Sequence, residues 1–385
     1  MKKYDVIIIG GGAAGLFAAR SATARGRKTL ILDMGDRPGR KVFVSGGGRC
    51  NFTNSAAGRD RYVGQNPDFV KSALARVKPA DILKWAHGHG LSYVEKSPGQ
   101  FFCATSGADI VSAMITDIGN ANMILNTNVI DISKQESTFI VHTDLEKFQS
   151  SSIIIATGGM SFPNIGVSDF GYKIAKQFGH KIVPIQPGLV GLKTTIFPHE
   201  LSGISLPVTI TVAGKTISDS MLFTHFGIGG PAAYRASLLD VTSELCINFM
   251  PSINVYDWLC DLKKSNGKKS LHTLLGTQLP AKFAKWICDD NQKNLADYKN
   301  TDIAGISDRI QKFKIPGGTL KHRDFNSAEV TIGGVSTEFI SSKTMESKLC
   351  PGLYFAGEVL DITGDLGGFN LHFAFASGIT AGEYA

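Results

Sequence analysis

The chain opens on an apolar, largely β-branched run, Tyr4 to Ile9, that stops at three glycines. A run without polar alternation predicts a parallel strand buried on both faces. Ala13 to Ala24 is Ala-rich and free of breakers, and predicts a helix. Lys28 to Leu32 predicts a second short strand, ending at Asp33. Strand, glycine turn, helix and strand make one βαβ unit.

Arg37 to Asn54 is glycine-rich and reads as irregular. Pro67 to His89 reads as helical, with Pro79 opening a second helix at its first position, where a missing N–H costs nothing. Ala108 to Ile118 predicts a helix. Ala121 to Ile132, Thr138 to Asp144 and Ser152 to Ala156 predict strands, and Phe170 to Phe178 a short helix. Pro184 and Pro187 mark a boundary. Short alternating segments such as Leu206 to Val212 and Glu244 to Phe249 follow, then a lysine-rich helical stretch from Val255 to about Phe313. Glycine-rich nucleotide-fold patterns return in Ala328 to Gly334, Gly352 to Gly357 and Asp365 to Gly382. The expected organisation is a discontinuous nucleotide domain, 1–187 plus 320–385. It is interrupted by an inserted β domain, 188–250, and a helical domain, 251–319.

Composition changes this picture little. The 43 glycines cluster in motifs rather than repeats, which excludes collagen-like and low-complexity classes. The formal charge of +7 suits a solvated basic surface, or an acidic partner. No stretch approaches the length of a membrane span. The apolar run after Lys2 and Lys3 is broken by Gly10, Gly11 and Gly12, so it reads as a strand rather than a leader. The cysteines, Cys50, Cys103, Cys246, Cys260, Cys288 and Cys350, form no CxxC pair and have no metal-ligand spacing. Scattered thiols suit a reducing, cytoplasmic setting and argue against a flavin-disulfide reductase.

Gly10-Gly11-Gly12-Ala13-Ala14-Gly15 carries the chemistry. It is a G-x-G-x-x-G that follows a strand, opens a helix and precedes an acid, Asp33. Gly10 permits the tight turn, Gly12 lets the backbone approach a pyrophosphate, and Gly15 lets helix and strand pack closely. The helix N-terminus favours the phosphates, and Asp33 suits the ribose hydroxyls of adenosine. This fingerprint leaves NAD and FAD open. Three further motifs favour a flavin. Ile153-Ile154-Ile155-Ala156-Thr157-Gly158-Gly159 is a strand ending in small residues. Gly352 to Glu358 is a strand ending in an acid suited to a ribityl hydroxyl. Gly367-Gly368-Phe369-Asn370 opens the helix-like run Leu371 to Ile379, whose N-terminus suits the negative edge of reduced flavin.

Several stretches resemble the BaiN/YhiN-type NAD(P)/FAD-dependent oxidoreductases, some described as aminoacetone oxidase family FAD-binding enzymes. They are Gly39-Arg40-Lys41 with Ser45 to Asn54, Ala156 to Gly159, Leu222 to Ile228 with Gly230 to Ala232, Ala328 to Thr331 with Gly333 to Val335, and Lys343 to Ser347 running on to Gly357 to Asp361. The likeness covers essentially the whole chain; the Ser-Gly-Gly-Gly-Arg-Cys-Asn-x-Thr-Asn block is its most specific part. Departures are Gly229, where the family carries Ser, and a shorter helical insertion. The resemblance implies an α/β, glutathione-reductase-like FAD-binding Rossmann domain, with an inserted β-barrel-like domain and a small helical domain. It also implies non-covalent FAD. Beyond the fingerprint glycines, Ala13, Ala14 and Asp33, the expected cofactor contacts are Arg40, Lys41, Ser45, Gly46, Gly47, Arg49, Cys50, Asn51, Thr53, Val129, Ala156, Thr157, Gly158, Gly357, Glu358, Gly367, Gly368, Phe369 and Asn370.

Two residues are candidates for catalysis. His225, in the Gly-flanked Thr224 to Pro231 loop, is the first choice for a general acid or base; it is alternatively a loop histidine that fixes domain contacts. Arg49 is either a partner for an anionic substrate or a structural loop arginine. His372 is the second choice of acid or base, and Cys50 is expected to pack rather than react. The leading function is an FAD-dependent oxidoreductase that passes hydride between flavin and a small molecule. With one dinucleotide fingerprint, an NAD(P)H donor would bind only transiently. Alternatives are an RNA-acting flavoprotein and a flavin-free NAD-dependent dehydrogenase. Residues 251–325 carry 13 Lys and Arg against 8 Asp and Glu, but with few aromatics, which reads as a solvated face more than a base-reading surface. Substrate and oligomeric state are not encoded in any motif.

Overall fold

The opening run forms strand β1, Lys2–Ile9, whose Val6, Ile7 and Ile8 are wholly buried. Burying each such side chain contributes about 1.5–3 kcal/mol, so the strand occupies the middle of a sheet rather than an edge. Helix α1, Ala13–Ala24, returns the chain to strand β2, Thr29–Leu32, which lies parallel to β1. On the other side β1 pairs parallel with Lys147–Ile155, which in turn pairs parallel with Leu353–Phe355. Leu32, Ile9, Ile155 and Phe355 pair in register, so these strands end along one line.

The structure, a computed structural model, describes residues 1–289 and 293–385. They divide into two compact units, 1–187 with 328–385, and 188–327. In the first unit the continuous strand expected over Ala121 to Ile132 is two strands. Asn122–Ile124 extends the parallel sheet beyond β2, and Val129–Gln135 joins an antiparallel ribbon. Asn126, at φ +49°, turns the chain between them. The stretch expected to be irregular contains a short helix α2, Arg40–Val44, and a strand β3, Asn51–Asn54.

The last helix, Phe369–Tyr384, is buried nearly all round. It lies against α1 through glycine: a Cβ on Gly378 would enter the Ala14 carbonyl, and one on Gly382 the Ala18 carbonyl. The end of the chain is thereby packed on the helix that follows the fingerprint.

The second unit is built on an antiparallel sheet. Its order is Phe313–Ile315, Leu245–Asn248, Ser205–Val212, Lys215–Thr224, Gly227–Gly229, Leu192–Lys193, Lys321–His322. Phe223 and Phe249 from the β stretch meet Phe283 from the helical stretch, with ring centroids 5.5 Å and 4.8 Å from it. The β and helical stretches therefore share one hydrophobic cluster. The unit continues past Thr319 because Lys321–His322 pairs with Leu192–Lys193. Among the described residues no helix is long and apolar enough to cross a membrane.

Candidate functional site

The aligned strand ends bring four sequence motifs side by side. Asp33 follows β2, the fingerprint follows β1, Ala156 to Gly159 follow Lys147–Ile155, and Gly357 and Glu358 follow Leu353–Phe355. Asp33 and Glu358 thus stand at opposite ends of a row spanning about 14 Å at ordinary strand spacing. Carboxyl ends of parallel strands are where α/β sheets bind nucleotides.

The three fingerprint glycines do different work. Gly10, at φ +110°, packs on the Ala156 carbonyl, where any side chain would collide. A Cβ on Gly15 would enter the Gly10 carbonyl. Gly12 instead has no atom within 4 Å of where its Cβ would lie, and it precedes a helix whose first turn carries no side-chain cap and no acid. Gly158, at φ +75°, is equally open. The open space at Gly12 adjoins the uncapped N-terminus of α1, where a pyrophosphate would be favoured.

Beside these glycines lies an open groove, lined by Gly10, Asp33, Met34, Arg40, Thr127, Asn128, Val129, Thr157, Gly166 to Ser168 and Phe170, among others. Asp33 is nearly buried and holds the groove's backbone. Gly11 N–H donates to its Oδ2 and Gly35 N–H to its Oδ1, both at 2.7 Å, and the Arg40 guanidinium lies 3.1 Å from Oδ1. Arg40 also donates to the Ile165 carbonyl. Asp33 is therefore both a ribose acceptor candidate and a fastener of the turn.

At the other end, Lys41 Nζ donates to Glu358 Oε2 and Ser161 Oγ, both at 2.6 Å. Glu358 Oε1 accepts from Thr331 N–H at 2.9 Å and from Ser161 Oγ at 3.2 Å. Glu358 was expected to take a ribityl hydroxyl. Its oxygens also accept from this cluster, so Glu358 holds Lys41, and Oε2, with one donor, keeps capacity for a second. Sequence reasoning missed Ser161; Thr331 lay in a family stretch but carried no assigned role.

The other expected contacts lie as follows. Thr53 is fully buried, and its hydroxyl pairs with His372 Nδ1 at 2.9 Å, so its side chain does not face a ligand. Cys50 is fully buried at φ +49°, and burial pushes its thiol up to about 12, so it packs and stays protonated. Ser45 Oγ donates to the Val42 carbonyl, and Gly46 and Gly47 turn the chain at positive φ. Phe369 is buried, and the Asn370 amide ties both backbone groups of Gly364. Gly367 accepts from Asn54, and Gly368 presses on Asn51 Oδ1. Arg49 is exposed, and its side chain makes no hydrogen bond or ion pair among the described residues. His225, in the second unit, is exposed on the turn after Lys215–Thr224 and packs edge-on to Phe226. At Gly229 a Cβ would touch Thr224 Cγ2 at 3.4 Å, and Thr224 Oγ1 is buried without a partner.

His372 is not an acid or base for turnover. It is fully buried between Thr53 and the Val77 carbonyl, and desolvation lowers its pKa from 6.5 to about 4. Its folded pKa lies below its unfolded one, so the unfolded chain takes up the proton first. Stability is then lost as pH falls from 6.5 towards 4, by about 3 kcal/mol for this group. Urea melts at pH 7 and pH 4 should show that His372→Gln removes about this much of the acid sensitivity; an unchanged pH slope would contradict it.

The residues fit FAD. Thr157 Oγ1 and Asn51 Oδ1 are buried without a hydrogen-bond partner, and Thr157 lines the groove. A buried acceptor left unmade costs about 1–3 kcal/mol, which a ribityl hydroxyl or ring N–H would relieve. The model of the HI0933-like protein Rossmann domain matches residues 4–384. The chain belongs to that family. It is an FAD-dependent oxidoreductase of the BaiN/YhiN type with the α/β architecture described above. It is 38% identical over 98% of its length to a ribosomal RNA dihydrouridine synthase of Escherichia coli, covering 96% of that protein. It is 40% identical to the ribosomal RNA dihydrouridine synthase of Haemophilus influenzae, covering 98% of this chain and 97% of that one. It is 27% identical to the 3-dehydro-bile acid delta(4,6)-reductase of Clostridium scindens, covering 98% of each.

Proposed function

We propose that this HI0933-like flavoprotein reduces a uridine in ribosomal RNA to dihydrouridine. The observation that carries the reading is 38–40% identity, end to end, with two ribosomal RNA dihydrouridine synthases. The third relative's name describes reduction of a double bond conjugated to a ketone. Uracil presents the same functional group: its C5=C6 bond is conjugated to the C4 carbonyl. The shared chemistry is hydride addition to the far carbon of an enone and protonation of the near one.

Bound FAD, once reduced, supplies the hydride. The chain supplies the rest: the α1 N-terminus and the Gly12 and Gly158 cradles hold the cofactor's phosphates, Asp33 and Arg40 hold one end, and the Lys41, Ser161 and Glu358 cluster supports the other. Hydride to C6 places electron density on O4, and a proton to C5 completes the addition. Of the histidines considered for that proton, His372 is committed to the core, whereas His225 is exposed. We assign NAD(P)H as the electron source. With a single dinucleotide fingerprint, it visits the flavin transiently.

Nucleoside mass spectrometry of ribosomal RNA tests this. Expressing the chain in a strain that lacks its own synthase should yield dihydrouridine. Ribosomal RNA that stays free of dihydrouridine, with purified enzyme reducing only free enones, would replace it with the small-molecule reading.

A further inference from the structure

Arg49 stands beside an edge hairpin, where the Cys103 N–H donates to its carbonyl. Strand β3 pairs with Gln100–Cys103, which pairs with Tyr93–Ser97, and every residue of Tyr93–Ser97 is exposed. Val94 is 40% exposed, and Val44 at the end of α2 is 42% exposed. An uncovered edge strand carrying apolar side chains is a feature that folded proteins otherwise blunt. Two half-buried rings, Phe102 in the hairpin and Phe43 three residues before Gly46, each carry a cation. Lys96 Nζ sits 4.5 Å from the centre of the Phe102 ring, and the Arg37 guanidinium 5.0 Å from that of Phe43. Val94 is paired with Phe102 across the hairpin. Among the described residues, Arg37, Arg49 and Lys96 form no ion pair.

The patch is tied to the candidate flavin residues. A Cβ on Gly46 would lie 3.0 Å from the Phe102 ring, and Phe102 is in register with Asn51, whose Oδ1 lies against Gly368 at the start of the last helix.

We propose that Phe102, Phe43, Arg37, Lys96 and Arg49 form a docking platform for single-stranded RNA next to the target base. Rings offer π faces on which bases flanking the uridine stack, and cations take the phosphates between them. A uridine inside a helix has its C5=C6 edge within the base stack, so reduction calls for an unpaired or extruded base. This inference rests on the proposal that RNA is the substrate.

The test uses the full-length FAD-loaded protein and a fluorescein-labelled, uridine-containing RNA oligonucleotide, single-stranded or annealed to its complement. Anisotropy should show tighter binding of the single strand. Phe102→Ala should weaken it roughly tenfold. Lys96→Gln should lower the slope of log affinity against log salt by about 0.7. Both variants should keep the FAD content of the parent. Lys96 is on the surface, so that variant decides the matter if Phe102→Ala does not fold. Unchanged binding in both folded variants of a protein that makes dihydrouridine would overturn the platform alone. A parent protein that neither binds RNA nor makes dihydrouridine overturns the functional reading, and the platform falls with it.

Discussion

Gly12→Ala is expected to leave the protein folded and to strip it of FAD. Gly12 has φ −81° and ψ −171°, a conformation alanine adopts readily, and its Cβ would meet no protein atom within 4 Å. The methyl group would instead fill the space that the pyrophosphate occupies against the α1 N-terminus. Overpacking of about 1–3 kcal/mol converts to roughly a 10- to 100-fold loss of FAD affinity. Gly15→Ala is the contrasting case, because its Cβ enters the Gly10 carbonyl. That backbone has no room to move, so the variant should fail to accumulate as folded protein. Flavin fluorescence titration and thermal melts of the apo forms separate the two. A Gly12→Ala protein that binds FAD normally would show that the phosphates lie elsewhere.

Asp33→Ala is expected to damage stability as well as FAD retention. The sequence alone assigns this residue a ribose contact. The structure adds two backbone donors, Gly11 and Gly35, and the Arg40 guanidinium, all held by one nearly buried carboxylate. Alanine leaves two N–H groups without acceptors, at about 1–3 kcal/mol each where water does not reach them. Urea melts of the apoprotein should show a loss of roughly 2–5 kcal/mol. Asp33→Asn, which keeps an acceptor, should lose less. Apo stability equal to the parent would mean that Asp33 is only a ligand contact.

The βαβ unit and the strand ends were legible because their cause is local. An apolar run, a glycine turn and an Ala-rich helix leave few alternative folds. The last helix was legible as a helix, but its packing was not, since the sequence does not say that Gly378 and Gly382 meet Ala14 and Ala18. The site was legible where backbone carries the contact, as at Gly10, Gly12 and Gly15. It was less legible where a side chain has a partner within the protein. Thr53 pairs with His372, and Glu358 with Lys41, Ser161 and Thr331. Those partners are distant in sequence, and a single chain carries no signal that joins them. The break at Asn126 was missed because apolar residues continue on both sides of it while the backbone turns at positive φ.

The central claim is that electrons held on this protein's FAD pass to a uracil ring in RNA. A single-turnover experiment tests it most directly. The flavoprotein is reduced without oxygen by stoichiometric NADPH or NADH, then mixed with ribosomal RNA lacking dihydrouridine. The account predicts that the flavin absorbance returns only when RNA is added, with one dihydrouridine formed for each flavin reoxidised. Flavin that stays reduced in the presence of RNA, yet is reoxidised by a free conjugated enone, would contradict it.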